Sequence, residues 1–289
     1  MPSRLRVLLH SRWLRVVAVL LALVVPAMTL PSLPHVSIWP VLMGLGPWIV
    51  GKYVLCPLRW HAISESGQSR RWHLRAYAES ELFGLLTPGH VGADAWRTKR
   101  LSAVGMHVPT AVAEVGLDRL IGAFGLALFV GVAGSAMPTR ILLTAVAIAV
   151  VAIVVGLVIH RVKPELIPRR ELPKPKHVAH GIVLSLGYQL TIGFLLWAMV
   201  ASTGTELSPI ALLGAFGASQ IAGVVPGPNG ASPRDGALVM ALMGLGVSWK
   251  AALGAVTLMA SVAWLPALLL GGGSLLAARR ARNVAPALA

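Results

Sequence analysis

Val225-Pro226-Gly227-Pro228-Asn229-Gly230-Ala231-Ser232-Pro233-Arg234-Asp235 is a Pro/Gly-rich loop between two apolar runs, and it ends on a charge pair. It has an echo in the chain. Thr87-Pro88-Gly89-His90-Val91-Gly92-Ala93-Asp94-Ala95-Trp96-Arg97 repeats the frame P-G-x-x-G-A, with its Pro-Gly pair at 88 against 226, 138 residues earlier. Each copy follows one helix-like apolar run and precedes another, and each carries an Asp and an Arg just past its glycines. The remainder of the chain is organised as two halves around these loops.

Composition fixes the class. Of the 289 residues 56% are hydrophobic and only 12% charged. Several apolar runs reach about 20 residues, the length that crosses a bilayer core. The chain is therefore read as an all-α polytopic membrane protein. Its net charge of +15 would point to nucleic acid in a soluble protein. Here the basic residues lie between apolar runs, where they set topology and meet lipid headgroups, so no nucleic-acid partner is expected. The lone Cys56 excludes an intrachain disulfide and a cysteine metal site.

Apolar runs predict spans near 14–33, 37–58, 109–134, 140–160, 181–202 and 251–273. The segment from Arg59 to Arg75 is basic, with Trp60 and Trp72 expected as interfacial anchors. Arg161 to His180 reads as a polar linker between the halves. The stretches at about 76–104 and 210–246 are too broken to span. Each reads as a re-entrant hairpin, because irregular backbone at membrane depth needs protein or a water-filled cavity around it. With the N-terminus inside, the inner segments hold 20 of the 25 Lys and Arg, and the outer loops only Arg140 and Lys250.

Six crossings follow, with both termini cytoplasmic. The halves, 1–134 and 135–289, each read span, span, hairpin, span. Three crossings is an odd number, so the second half starts on the opposite face. That is an inverted-topology repeat, with hairpins facing opposite sides and a substrate site near the midplane. The gate positions are Pro88, Gly89 and Gly92 in the first loop, and Pro226, Gly227, Asn229 and Gly230 in the second.

Charges at membrane depth are costly and point to function. The third span carries Glu114, Asp118 and Arg119. Glu114 and Asp118, four apart, share a helix face, while Arg119 points about 100° away from Asp118. Asp94 and Arg97, and Arg234 and Asp235, follow glycines at helix starts, where bare amides favour an anion and an Arg fork suits phosphate. These seven residues are the candidate substrate-binding set. Alternatives stand beside that reading: a structural ion-pair network for the helix charges, and snorkelling to the interface for Arg97. No zincin, Walker or G-x-S-x-G signature occurs, and no catalytic residue, metal or cofactor is assigned. Asp94 or Asp118 acting as a base toward a lipid-linked substrate stays open.

At these loops the chain resembles the lysylphosphatidylglycerol synthase transmembrane, or flippase-like, family. The family's first-half pattern P-G-x-x-G-[DE]-x-x-R-x-x-x-L is matched by Pro88-Gly89-His90-Val91-Gly92 with Arg97 and Leu101, with one extra residue before Asp94. Its acid-Arg-Leu is matched by Asp118-Arg119-Leu120. Its second-half pattern V-P-x-P-G-G-x-G-x-x-E-x-A-L is met by Val225 through Gly230 and by Asp235-Gly236-Ala237-Leu238. Asn229 and Ser232 replace usual glycines, and Asp235 replaces Glu. The resemblance implies a bacterial inner-membrane protein that translocates a lipid or serves a lipid-modifying enzyme. It does not imply lysyl transfer, which belongs to a separate soluble domain for which a chain ending at Ala289 is expected to leave no room.

The leading expectation is a translocase for an anionic or phosphate-bearing lipid. The alternative is a membrane-embedded transferase, or an accessory subunit of one, acting on lipid-linked sugars or isoprenoid and hopanoid lipids. Coupled movement of a small solute or ion is a third.

Overall fold

The computed structural model describes residues 36–133 apart from Leu86, Pro88 and Gly89. It also describes 173–284 apart from 224–226 and 228–231, and the single positions 143, 147, 158 and 161. The expected spans at 14–33 and 140–160 lie outside the described residues or almost wholly so, as do gate positions Pro88, Gly89, Pro226, Asn229 and Gly230. Among the described residues the elements are all helical.

The first half contains α1 (Ile38–Ile63), α2 (Arg70–Leu85), α3 (Val91–Ser102) and α4 (Val108–Ala133). The second contains α5 (Pro175–Ser202), α6 (Pro209–Ala222), α7 (Pro233–Gly244) and α8 (Trp249–Arg280). Three of these, α1, α5 and α8, are long and apolar enough to cross a membrane, with 26, 28 and 32 residues. Helix α4 has 26 residues and carries three charges in its first half. The two broken stretches are helix pairs, α2 with α3 and α6 with α7, and each pair packs on itself.

Several boundaries differ from the sequence expectation. Helix α1 runs on to Ile63 and takes in Arg59 and Trp60, because both find buried partners. Trp60 is 0% exposed and is a core residue, not an interfacial anchor. Helix α2 begins at Arg70, not near 76, because the arginines there continue the helical turn into water. Helix α5 begins at Pro175, inside the stretch read as linker. Proline suits a first helical turn, where its missing N–H costs no bond. Two π-helical turns, Gly51–Leu55 in α1 and Ala267–Gly272 in α8, break the regular register of the long helices.

Small residues let the helices approach. A Cβ built on Gly44 of α1 would stand 2.6 Å from the Ala198 Cβ of α5, and one on Gly271 of α8 would run into the Ala78 carbonyl of α2. Close backbone approach of this kind is how helices associate where lipid is as apolar as the side chains. Two cores result. One, around Cys56, Trp60, Tyr77, Leu101 and Val115, lies within the first half. The other joins α1 to α5, α6, α7 and α8.

The halves also match in detail. The first helix of each pair packs on the last long helix of the other half, α2 on α8 and α6 on α4. The second helix of each pair packs on the last long helix of its own half. Each pair ends in the same turn. The Met106 N–H donates to the Leu101 carbonyl across Gly105 (φ 95°), and the Val247 N–H to the Leu242 carbonyl across Gly246 (φ 89°). This is the glycine-terminated helix end in which the chain turns left-handed to satisfy the last carbonyls. Leu101 and Leu242 are both fully buried, and α4 and α8 start at the same distance past them, at Val108 and Trp249.

Candidate functional site

Four of the seven candidate residues meet in one network. Asp118 of α4 is 0% exposed and is clamped from two sides. Arg59 of α1 donates through Nε at 2.7 Å and through one terminal nitrogen at 3.1 Å. Arg97 of α3 donates at 2.7 Å. Arg97 also reaches Asp94 at 2.8 Å, and Arg119 reaches the same Asp94 oxygen at 3.0 Å. The Arg59 guanidinium bonds Ser185 of α5 as well, at 2.9 Å. The Arg97 guanidinium lies 5.4 Å from the ring centres of both Trp60 and Tyr77. Two arginines so placed need the carboxylate, because an unpaired charge in the interior is expensive.

Exposure divides this network. Arg59, Arg97 and Asp118 are buried, whereas the side chains of Asp94 and Arg119 are 35% and 48% exposed. Arg97 is thus committed inside the protein and does not snorkel. Glu114 belongs to a neighbouring cluster. It accepts from Trp60 Nε1 at 3.0 Å, Ser64 Oγ at 2.6 Å and the Glu65 amide at 3.1 Å, and so fixes the chain where it leaves α1.

Glycine-bared amides at the two helix starts are partly taken by side chains. The Gly92 N–H donates to Thr87 Oγ1 at 2.7 Å. At α7, Ser232 and Asp235 form a reciprocal cap in which the Asp235 carboxylate accepts from the Ser232 amide and hydroxyl. Asp235 therefore holds the start of α7, and its other oxygen lies 3.5 Å from Arg234.

His90 stands where the chain enters α3. This residue has a left-handed backbone, φ 58°, sparsely populated for a side chain of its size. Its imidazole lies within electrostatic reach of Glu81, Lys52, Arg119 and Arg234, which come from α2, α1, α4 and α7. Lys52 and Glu81 pair at 2.9 Å, with the Lys52 ammonium 5.9 Å and 5.6 Å from the ring centres of Tyr77 and Tyr188. Arg119 and Arg234 are the two part-exposed cations of the group. Along α7 and the start of α8 a cavity of about 380 Å³ opens between Ser232, Asp235, Met240, Trp249 and Thr257.

Arg59, Lys52 and His90 were missing from the sequence-derived set. Arg59 sat at the polar edge of an apolar run and read as interfacial. Its spacing of seven from Lys52 puts both on one face of a helix, which was the available signal. Among the described residues no cluster of His, Cys, Asp and Glu has the arrangement of a metal site.

A helical protein with membrane-length apolar helices and a charge network buried between α1, α3 and α4 is a polytopic membrane protein. The chain belongs to the lysylphosphatidylglycerol synthase TM region family, whose model matches residues 12–271. That family membership makes it a membrane protein concerned with lipid handling. No curated protein and no solved structure matches the chain.

Proposed function

We propose that this protein moves an anionic, phosphate-bearing lipid between the leaflets of a bacterial inner membrane, with both of its termini cytoplasmic. The headgroup passes between the tips of the two helix pairs while the acyl chains stay in lipid. The observation that carries this reading is that each half keeps one guanidinium group part-exposed beside a carboxylate, Arg119 on Asp94 and Arg234 by Asp235. Both are part-exposed and so are available to a ligand, whereas Arg59 and Arg97 are spent on Asp118. Guanidinium groups suit phosphate because their planar fork gives two parallel donors. Asp94 keeps Arg119 in place, and the cavity beside Trp249 offers an acyl chain an apolar wall.

The matched packing of the helix pairs and their identical glycine turns support an inverted repeat, with the pairs as opposed re-entrant gates. The test is fluorescent phospholipid exchange in proteoliposomes, followed by dithionite reduction of the outer leaflet. Arg119→Gln with Arg234→Gln should cut the rate about tenfold or more, the scale of losing charge-assisted contacts to the moving headgroup. Lys176→Gln, an exposed cation at the start of α5, should leave it unchanged. No exchange above empty vesicles across several headgroups would overturn translocation by the chain alone.

A further inference from the structure

A second cavity, of about 590 Å³, lies at the polar end of α1 and the start of α5, away from the tips of the helix pairs. Its volume is in the range of sites that hold small ligands. Its walls carry His61, Glu65, Arg70, Lys174, His177 and His180. Two fixed positive charges and three imidazoles thus face one carboxylate. Arg70 and Lys174 are both exposed, and among the described residues neither has an ion-pair partner. Arg70 lies within electrostatic reach of His61. Lys174 is also the N-cap of the 28-residue α5, with no side chain capping that helix end, so the helix dipole adds to the same positive field. The wall is fixed, because Glu114 holds Ser64 and the Glu65 amide from within.

Cations that outnumber the carboxylates on a cavity wall are the chemistry of an anion site. We propose that this cavity binds a phosphate-bearing group, either the headgroup of an anionic lipid from the adjoining leaflet or a soluble phosphate compound. The site is independent of the translocation reading: it is built from other residues and can stand if that reading falls.

The test is equilibrium binding to the purified full-length protein in detergent, by isothermal titration. The probes are inorganic phosphate and a short-chain phosphatidylglycerol below its micelle concentration. Arg70→Gln with Lys174→Gln should weaken binding about tenfold or more, the scale of losing two part-exposed charge-assisted contacts. Arg70→Lys with Lys174→Arg keeps the charges and should restore most of it. Lys250→Gln, an exposed cation at the start of α8, should leave it unchanged. Saturable binding of inorganic phosphate alone assigns a soluble ligand, and binding of the lipid alone assigns a headgroup. The proposal is overturned if neither probe binds saturably. It is equally overturned if the Arg70 and Lys174 pair changes nothing, or if Lys250→Gln weakens binding as much.

Discussion

Asp118 is the residue on which the first half turns. It is the shared acceptor of Arg59 and Arg97, and it joins α1, α3 and α4 at a single carboxylate. Asp118→Asn would leave two buried guanidinium groups facing a neutral amide. The expected cost is about 3–5 kcal/mol, the usual scale for breaking a buried pair from one side. It would be read as loss of the monodisperse peak in detergent size exclusion and a fall in melting temperature. Arg119→Gln, at the part-exposed end of the same network, should cost no more than about 1 kcal/mol. A result in which both variants melt alike would contradict the division between clamp and ligand contact. His73 gives the pH dependence. It is 1% exposed and packed against Trp60, Trp72 and His61, and its Nδ1 donates to the Ser69 carbonyl. Burial holds it at about 4, below its ordinary 6.5. The folded state therefore binds the proton less well than the unfolded chain does. Stability is complete above about pH 6.5 and is lost as pH falls toward 4, by on the order of 3 kcal/mol. The melting temperature of the wild type should fall across that window, and His73→Phe should flatten the curve.

At the level of elements, the two helix pairs were legible because Pro-Gly pairs interrupt apolar runs that are too short to span. Their outer ends were not legible. Polarity marks where a helix meets water, not where it stops, and Arg70–Arg75 and Pro175–His180 are polar and helical at once. The ion-pair network was half legible for a similar reason. Charges inside an apolar run stand out, as Asp118 and Arg119 did, but Arg59 at the edge of one does not. The close approach of α2 to α8 was invisible, since it depends on which glycine faces which backbone. Gly271→Ala would press a methyl group into the Ala78 carbonyl and should destabilise by about 1–3 kcal/mol. Gly46→Ala, where nothing lies within 4 Å of the added carbon, should be neutral or slightly stabilising. Parallel thermal melts of the two variants would check both, and equal losses would show that Gly271 does not set the spacing.

For the whole molecule, the order of long helix, helix pair and long helix among the described residues of each half is legible in the sequence, while the sidedness of the halves rests on the charge bias of the loops. Four connections test it. In an inverted repeat, single cysteines at Glu65 and Gly105 should react with an impermeant maleimide from one side, and those at Glu206 and Gly246 from the other. Cys56 is buried and is replaced by Ala in the background. All four labelling from the same side would remove the inverted repeat and the opposed gates with it.

The matching turns at Gly105 and Gly246 have one more consequence. Both glycines are left-handed, both close a short helix after a fully buried leucine, and both lead into a long helix. Replacing either with Ala should cost about 1 kcal/mol for the disfavoured backbone. The chain thus supplies its own internal control. A change made in one half has a twin position in the other, so a difference between twins in transport, at equal stability, measures how far the two faces of the molecule have diverged in what they do.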